Sequence, residues 1–272
     1  FYNINTNKLM SSKVIYYYQS FVGLDELLTH IEDVDVIIVS SIHFDNVKGK
    51  KQIYLNDNLP DDHLFDELWL QTKKASVQGC KIMMMMGGAG GAYQSLFSDF
   101  ETYYPLLVKM IKDRPWIQGI DLDIEEEVTL SNVKMLINRL VKDFGKEFTI
   151  TMAPVSPSLQ HDGSSMAGFS YKTLYQSEEG KYIHWFNTQC YYSFSKNTYD
   201  LIVRNGYPPE KIVMGMESGQ FNKESFPGAI HEIIKIKKEY PTFGGVYDWE
   251  YLNAPPDTSD PSQWAKLMKK IL

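Results

Sequence analysis

The chain has 272 residues, room for two small domains or for a single eight-stranded barrel of about 250 residues. Hydrophobic residues make up 43% and charged residues 22%, enough for a large core in an ordinary globular protein. Against 34 acidic residues stand 27 basic ones, a formal charge of −7 with no Lys/Arg cluster, which argues against a nucleic-acid binder or a protein held to an anionic membrane. No apolar stretch reaches the 18 residues a spanning helix needs.

Short apolar runs alternate with longer helix-period stretches. The runs are Val14–Tyr18, Val34–Ile42, Cys80–Met86, Trp116–Ile124, Phe148–Met152, Ile183–Tyr191, Lys211–Met216 and Gly244–Trp249. All eight are continuously apolar, as strands buried on both faces are. Between them, Leu64, Phe65, Leu68, Thr72 and Ala75 mark a helix ending near Gly79. Val133, Leu136, Ile137, Leu140, Val141 and Phe144 mark another, with Ser131 as its expected N-cap and Gly145 as its stop. Pro227 and Pro241 bracket a third, and Asp260-Pro261 opens a last one with Trp264, Leu267, Met268 and Ile271 on one face. Eight alternating β/α units predict a single-domain (β/α)8 TIM barrel over residues 13–272, preceded by an N-terminal extension over 1–12; an open doubly wound sheet is the competing reading. The longest irregular segments fall at about 43–61, 154–170 and 217–226, the first two after strand C-termini, where barrel enzymes build their sites. The chain begins at Phe1, so a processed or partial chain is expected and the compartment stays open.

The densest chemistry lies in Trp116-Ile-Gln-Gly-Ile-Asp-Leu-Asp-Ile-Glu125. Alternation puts Ile120, Leu122 and Ile124 on one face and Asp121, Asp123 and Glu125 on the other, about 7 Å apart in succession. If the acidic face points into the barrel, the three cannot all stay ionised and at least one pKa rises. A solvated edge strand continuing into Glu126 and Glu127, or acids at a helix N-terminus, are the bland alternatives. Trp249 and Tyr191 have packing roles as their alternatives. Gly87-Gly88-Ala-Gly90-Gly91 lacks the spacing of a phosphate loop and reads as a sharp turn at the barrel mouth. His43 and His161 are expected in solvated loops, and the six histidines show no metal-ligand spacing. Cys80 and Cys190 read as buried thiols, and Met83–Met86 as buried strand rather than a partner surface.

Gly119-Ile-Asp121-Leu-Asp123-Ile-Glu125 resembles the Asp-Gly-x-Asp-x-Asp-x-Glu signature of the family 18 glycoside hydrolases, the chitinase family, and it falls on the fourth strand as it does there. Lys81–Gly88 resembles that family's third strand, Thr149–Pro154 the fifth strand of its plant-type, hevamine-like members, Gln189-Cys190-Tyr191 the sixth, and Gly244–Trp249 the eighth. The resemblance implies an endo-hydrolase of β-1,4-linked N-acetylglucosamine polymers with a substrate-assisted, retaining mechanism. By that likeness Glu125 is the acid, Asp123 holds the acetamido group, Asp121 shares a proton with Asp123, and Tyr191 bonds the acetamido carbonyl. Trp249, Gln189, Tyr17, Gly88 and Met152 are expected to contact the sugar. The implied partner is chitin or an N-acetylglucosamine-containing oligosaccharide, met by a monomer without metal or cofactor. An endo-β-N-acetylglucosaminidase acting on N-glycans, or a silent carbohydrate-binding or storage barrel of the narbonin kind, remains an alternative. The chain departs from the pattern at Gln118, Met85, Tyr192 and Ser41, which puts substrate choice and rate in question.

Overall fold

A computed structural model describes residues 12–272, so the extension expected over 1–12 lies outside the described residues except for Ser12. The strands are β1 (Lys13–Tyr18), β2 (Val36–Val47), β3 (Lys50–Leu55), β4 (Lys81–Gly87), β5 (Ile117–Asp123), β6 (Thr149–Met152), β7 (Ile183–Gln189), β8 (Ile212–Glu217) and β9 (Gly245–Trp249). Their order is β1-β9-β8-β7-β6-β5-β4-β2-β3. A parallel β1–β2 pairing closes the ring, so eight parallel strands form a barrel and the helices wrap it. The open doubly wound sheet is thereby excluded.

Alternation along these strands divides the core in two. Ile15, Tyr17, Val36, Ile38, Met83, Met85, Trp185, Val213 and Tyr247 form one buried cluster inside the barrel. A larger cluster fills the layer between strands and helices and takes in Ile120, Leu122, Ile150 and Met152 from β5 and β6. Both thiols, Cys80 and Cys190, are free and buried. Met83–Met86 are 0–1% exposed, as expected of buried strand.

Helix Leu130–Phe144 shows how a local pattern fixes an element. Val133, Leu136, Ile137 and Leu140 recur at helical spacing and are all buried against the barrel, each contributing about 1.5–3 kcal/mol of transfer free energy. Its N-cap is Thr129, not Ser131: the Thr129 hydroxyl accepts from the Asn132 N–H. Gly145 ends it at φ +84°, where a Cβ would be strained.

The segment 43–61, expected as irregular, is largely a hairpin. β2 runs on past the barrel to Val47, turns at Lys48 (φ +52°) and Gly49 (φ +82°), and returns as β3 antiparallel to it. Phe44 and Ile53 face each other in register and are buried, and Phe44 packs on Tyr103 of helix Phe100–Lys112 with ring centroids 5.4 Å apart. The hairpin stands as a wall on one side of the barrel mouth.

Candidate active site

The acidic side chains of β5 do point into the barrel. Asp121 is 0% and Asp123 6% exposed, while Gln118 on the opposite parity is exposed to solvent. Glu125 lies just past the strand end and is half-buried at the mouth. β5 is the fourth strand of the ring, and it is inserted between β4 and β6 rather than at an edge.

Asp121 is the deepest of the three. Its Oδ2 accepts from the Tyr17 hydroxyl at 2.7 Å, and its Oδ1 accepts from Thr151 Oγ1 at 2.6 Å and Asn187 Nδ2 at 3.0 Å. Trp185 Nε1 in turn donates to Asn187 Oδ1 at 2.8 Å and fixes that amide. Burial raises the Asp121 pKa, and the donors from Thr151, Tyr17 and Asn187 oppose the rise by favouring the charged form. Asp123 has no such set. Burial first, then the neighbouring Glu125 and Asp121, push it well above the aspartate range. Its Oδ1 is met by Gln189 Nε2 at 3.3 Å, and the same amide reaches Glu125 Oε1 at 3.2 Å and the Ala153 carbonyl at 2.9 Å. Burial and two neighbouring acids thus favour the neutral form of Asp123, while Asp121, still deeper, is the better hydrogen-bonded acceptor beneath it.

Above the carboxylates opens a cleft of about 480 Å³ lined by Asp123, Glu125, Gln189, Tyr191 and Trp249, by Met85 and Gly87–Gly90 of the β4 end, and by Gln19, Ser41, His43, Asn56 and Asp57. Gly88 lines the cleft, and its N–H donates to the Asp123 carbonyl at 2.9 Å. A Cβ on it would come within 3.0 Å of Met85 Cε and 3.5 Å of Asp123 Oδ2. Met85 pairs with Asp121 in register and presents a thioether beside the acidic row, taking only a contact from Ser40 Oγ at 3.4 Å. It excludes water where a polar side chain would admit it. Tyr191 meets the Tyr247 hydroxyl at 3.3 Å on the β7–β9 side, and Trp249 packs over Tyr17 with centroids 5.3 Å apart.

Two expected sugar contacts are corrected. Met152 is fully buried in the layer facing the helices, because alternation along β6 sends Thr151 inward to Asp121 and Met152 outward. Tyr17 does approach Asp121 but is 2% exposed beneath Trp249, so it supports the row rather than lining the cleft.

Other participants had no isolated signal. His43 stands on β2, not in a loop, with Nδ1 2.6 Å from the Gly91 carbonyl. Asn56 (φ +50°) ties the hairpin end to the barrel. Its Oδ1 accepts from the Ser41 N–H at 3.1 Å and its Nδ2 donates to the Gln19 carbonyl at 3.1 Å. Glu126 accepts from the N–H groups of Ala92, Tyr93 and Gln94, capping helix Tyr93–Ser98 and holding the glycine-rich turn against β5. The acid-at-a-helix-start reading thus applies to Glu126, while the three inward carboxyls do something else. Among the described residues, no three His, Cys, Asp or Glu side chains group so as to hold a metal ion.

A family model described as Glycosyl hydrolases family 18 matches residues 13–225. A fungal endo-beta-N-acetylglucosaminidase of that family is 34% identical, with a TM-score of 0.84 over 96% of this chain and 98% of its own. The chitinase ChiC from Aspergillus fumigatus is 32% identical, with a TM-score of 0.82 over 96% of this chain and 99% of its own. Chitinase 2 of Rhizopus oligosporus is 25% identical over 247 residues; the match takes in 80% of this chain but only 44% of that relative's length.

Proposed function

The chain belongs to family 18 of the glycosyl hydrolases, and from that premise we propose that it is an endo-hydrolase of β-1,4-linked N-acetylglucosamine chains whose nucleophile is the substrate's own 2-acetamido group. The observation that carries this reading is the inward row of Asp121, Asp123 and Glu125, whose upper two carboxyls line a cleft and are both reached by one Gln189 amide.

Glu125, half-buried at the mouth, is placed to give a proton to the bridging oxygen as the bond from that oxygen to the anomeric carbon breaks. The acetamido carbonyl oxygen bonds to the same carbon, and the charge that develops is shared with the acetamido nitrogen. Asp123 accepts the acetamido N–H and stabilises that charge by releasing its own proton toward Asp121, where the Tyr17 or Thr151 hydroxyl turns from donor to acceptor to receive it. Tyr191 orients the acetamido carbonyl and Trp249 supports the ring, so that proximity supplies much of the acceleration. Water then attacks the anomeric carbon as its bond to the acetamido oxygen breaks and the acetamide reforms, Glu125 takes the water's proton, and the product keeps the β configuration.

A second reading shares this chemistry and differs in substrate: cleavage within the di-N-acetylglucosamine core of an N-glycan. The 34% identity to a fungal endo-beta-N-acetylglucosaminidase favours it. Incubation with a chito-oligosaccharide and with an N-glycan, each with wild type and Glu125→Gln, separates the possibilities. The proposal expects chito-oligosaccharide cleavage by wild type and loss of about 10³-fold in kcat in the variant. Cleavage of the N-glycan alone moves the assignment to the second reading. No turnover of either at high enzyme concentration leaves a silent, carbohydrate-binding barrel.

A further inference from the structure

The cleft is walled unevenly around Glu125. Its lining comes from the ends of β1, β2, β3, β4, β5, β7 and β9, but no residue of β6 or β8, or of the segments that follow them, contributes. The enclosed part therefore lies on the hairpin side of the acid. Going round the ring from the hairpin, the strand after Glu125's β5 is β6, so a sugar chain that fills the enclosed part and continues past Glu125 meets the rim where the segments after β6 and β7 come together. These two segments are joined: the Ser156 N–H donates to the Gln189 carbonyl at 2.9 Å, and the Ser156 and Ser193 hydroxyls are 3.2 Å apart.

On that rim sits Tyr192, the neighbour of cleft-lining Tyr191. It lies in a turn closed by the Ser193 N–H on the Cys190 carbonyl at 3.0 Å. Its φ is +56°, a conformation that suits glycine or asparagine and works against a bulky side chain. Its side chain is 81% exposed, against a half-buried Tyr191. The fold thus holds a large aromatic ring in a disfavoured backbone conformation and gains no packing from it. Met166, 54% exposed, follows the same rim: the carbonyl of its neighbour Ala167 accepts from the Val128 N–H, three residues beyond Glu125.

We propose that Tyr192 is the platform on which the first sugar of the leaving half of the chain stacks, so that it sets the preference for a pyranose, rather than a small group, on the far side of the scissile bond. This rests on the reading of the chain as a hydrolase of N-acetylglucosamine chains. A flat, exposed ring offers its face to the axial C–H groups of a pyranose while its hydroxyl stays in water.

The test compares Tyr192→Gly, which the positive φ favours, with Tyr192→Phe, which keeps the ring. Two substrates are used: chitotetraose, and chitobiosyl β-fluoride, whose leaving group carries no ring. Tyr192→Gly raises the ratio of the tetraose KM to the fluoride KM about tenfold without lowering Tm, and Tyr192→Phe keeps the wild-type ratio. An unchanged ratio in Tyr192→Gly, or a lowered Tm with both substrates equally affected, overturns the platform. If wild type turns over neither substrate, the hydrolase reading fails separately and calorimetric binding of chitotetraose decides. Binding about tenfold weaker in Tyr192→Gly supports the platform; equal binding by the two proteins, or none by wild type, overturns it.

Discussion

Asp121 and Asp248 are both carboxyl groups taken wholly out of water on barrel strands, and burial pushes both above the ordinary aspartate range. Their surroundings differ. Asp121 faces into the barrel from β5 and is met by three donors. Asp248 faces outward from β9, opposite Tyr16 in register, and its one side-chain partner is the Ser218 hydroxyl at 2.6 Å; its Oδ1 has no hydrogen-bond partner among the described residues. The Ser218 hydroxyl also stands 2.8 Å from the Glu250 carbonyl and has only one proton to give. That one proton is divided between two acceptors, so Asp248 has less than a full donor to hold a charge, and its neutral form is favoured. Buried charge is sustained where donors converge, and a buried acid stays neutral where they do not. The first arrangement can answer a charge that develops on a substrate. The second holds the backbone next to Trp249.

Three substitutions sharpen that contrast, in order of expected effect. Asp123→Asn keeps the shape of the row but removes the group that can exchange a proton with its neighbours. It lowers kcat on a chito-oligosaccharide about 10²-fold with KM changed far less. A loss confined to KM would make Asp123 a binding residue only. Tyr17→Phe removes one of the three donors to Asp121 and lowers kcat about tenfold, since a hydrogen bond to a charged group is worth about 1.5–3 kcal/mol. Steady-state rates equal to wild type would show that Asp121 does not need its full set.

Asp248→Asn has the smallest effect on rate and acts on stability instead. In the unfolded chain this carboxyl ionises near pH 4, whereas in the fold it stays protonated well above that. Between those two points the unfolded state releases a proton that the native state keeps. The stability contribution is therefore intact below about pH 4 and is lost progressively as pH rises toward the native pKa, by about 1.4 kcal/mol per unit of difference. Asparagine, neutral throughout and able to donate to Ser218, escapes that loss. Thermal unfolding of the variant against wild type should show a Tm difference several degrees more favourable at pH 7 than at pH 4. The same offset at both would mean that Asp248 is not held neutral.

The inner face of β5 was legible because a two-residue period is a local property: Asp121, Asp123 and Glu125 declare their common side without any neighbour. The barrel was legible for the same reason, from eight apolar runs with helices between them. What supports the row was not. Thr151 and Asn187 reach Asp121 only because β6 and β7 pair in a particular register, and nothing within either strand's own sequence sets it. Met152 was placed one residue off, on the wrong side of the alternation that makes Thr151 the inward residue. The hairpin wall was hidden because Val34–Ile42 already accounted for a strand of ordinary length. The alternating Phe44, Ile53 and Leu55 around Lys48-Gly49 carried the signal that β2 continues. Glu126 looked like more of the acidic row, and only the position of helix Tyr93–Ser98 gives it a separate task.

The most direct test of the central claim, that the acidic row works with the substrate's acetamide, is the configuration of the newly formed reducing end. Proton NMR of a chito-oligosaccharide digest, recorded before mutarotation proceeds, should show the β-anomer first, with no cleavage of the matching β-1,4-glucose oligomer, which lacks the acetamide. The α-anomer appearing first, or comparable turnover of the glucose oligomer, would contradict the account.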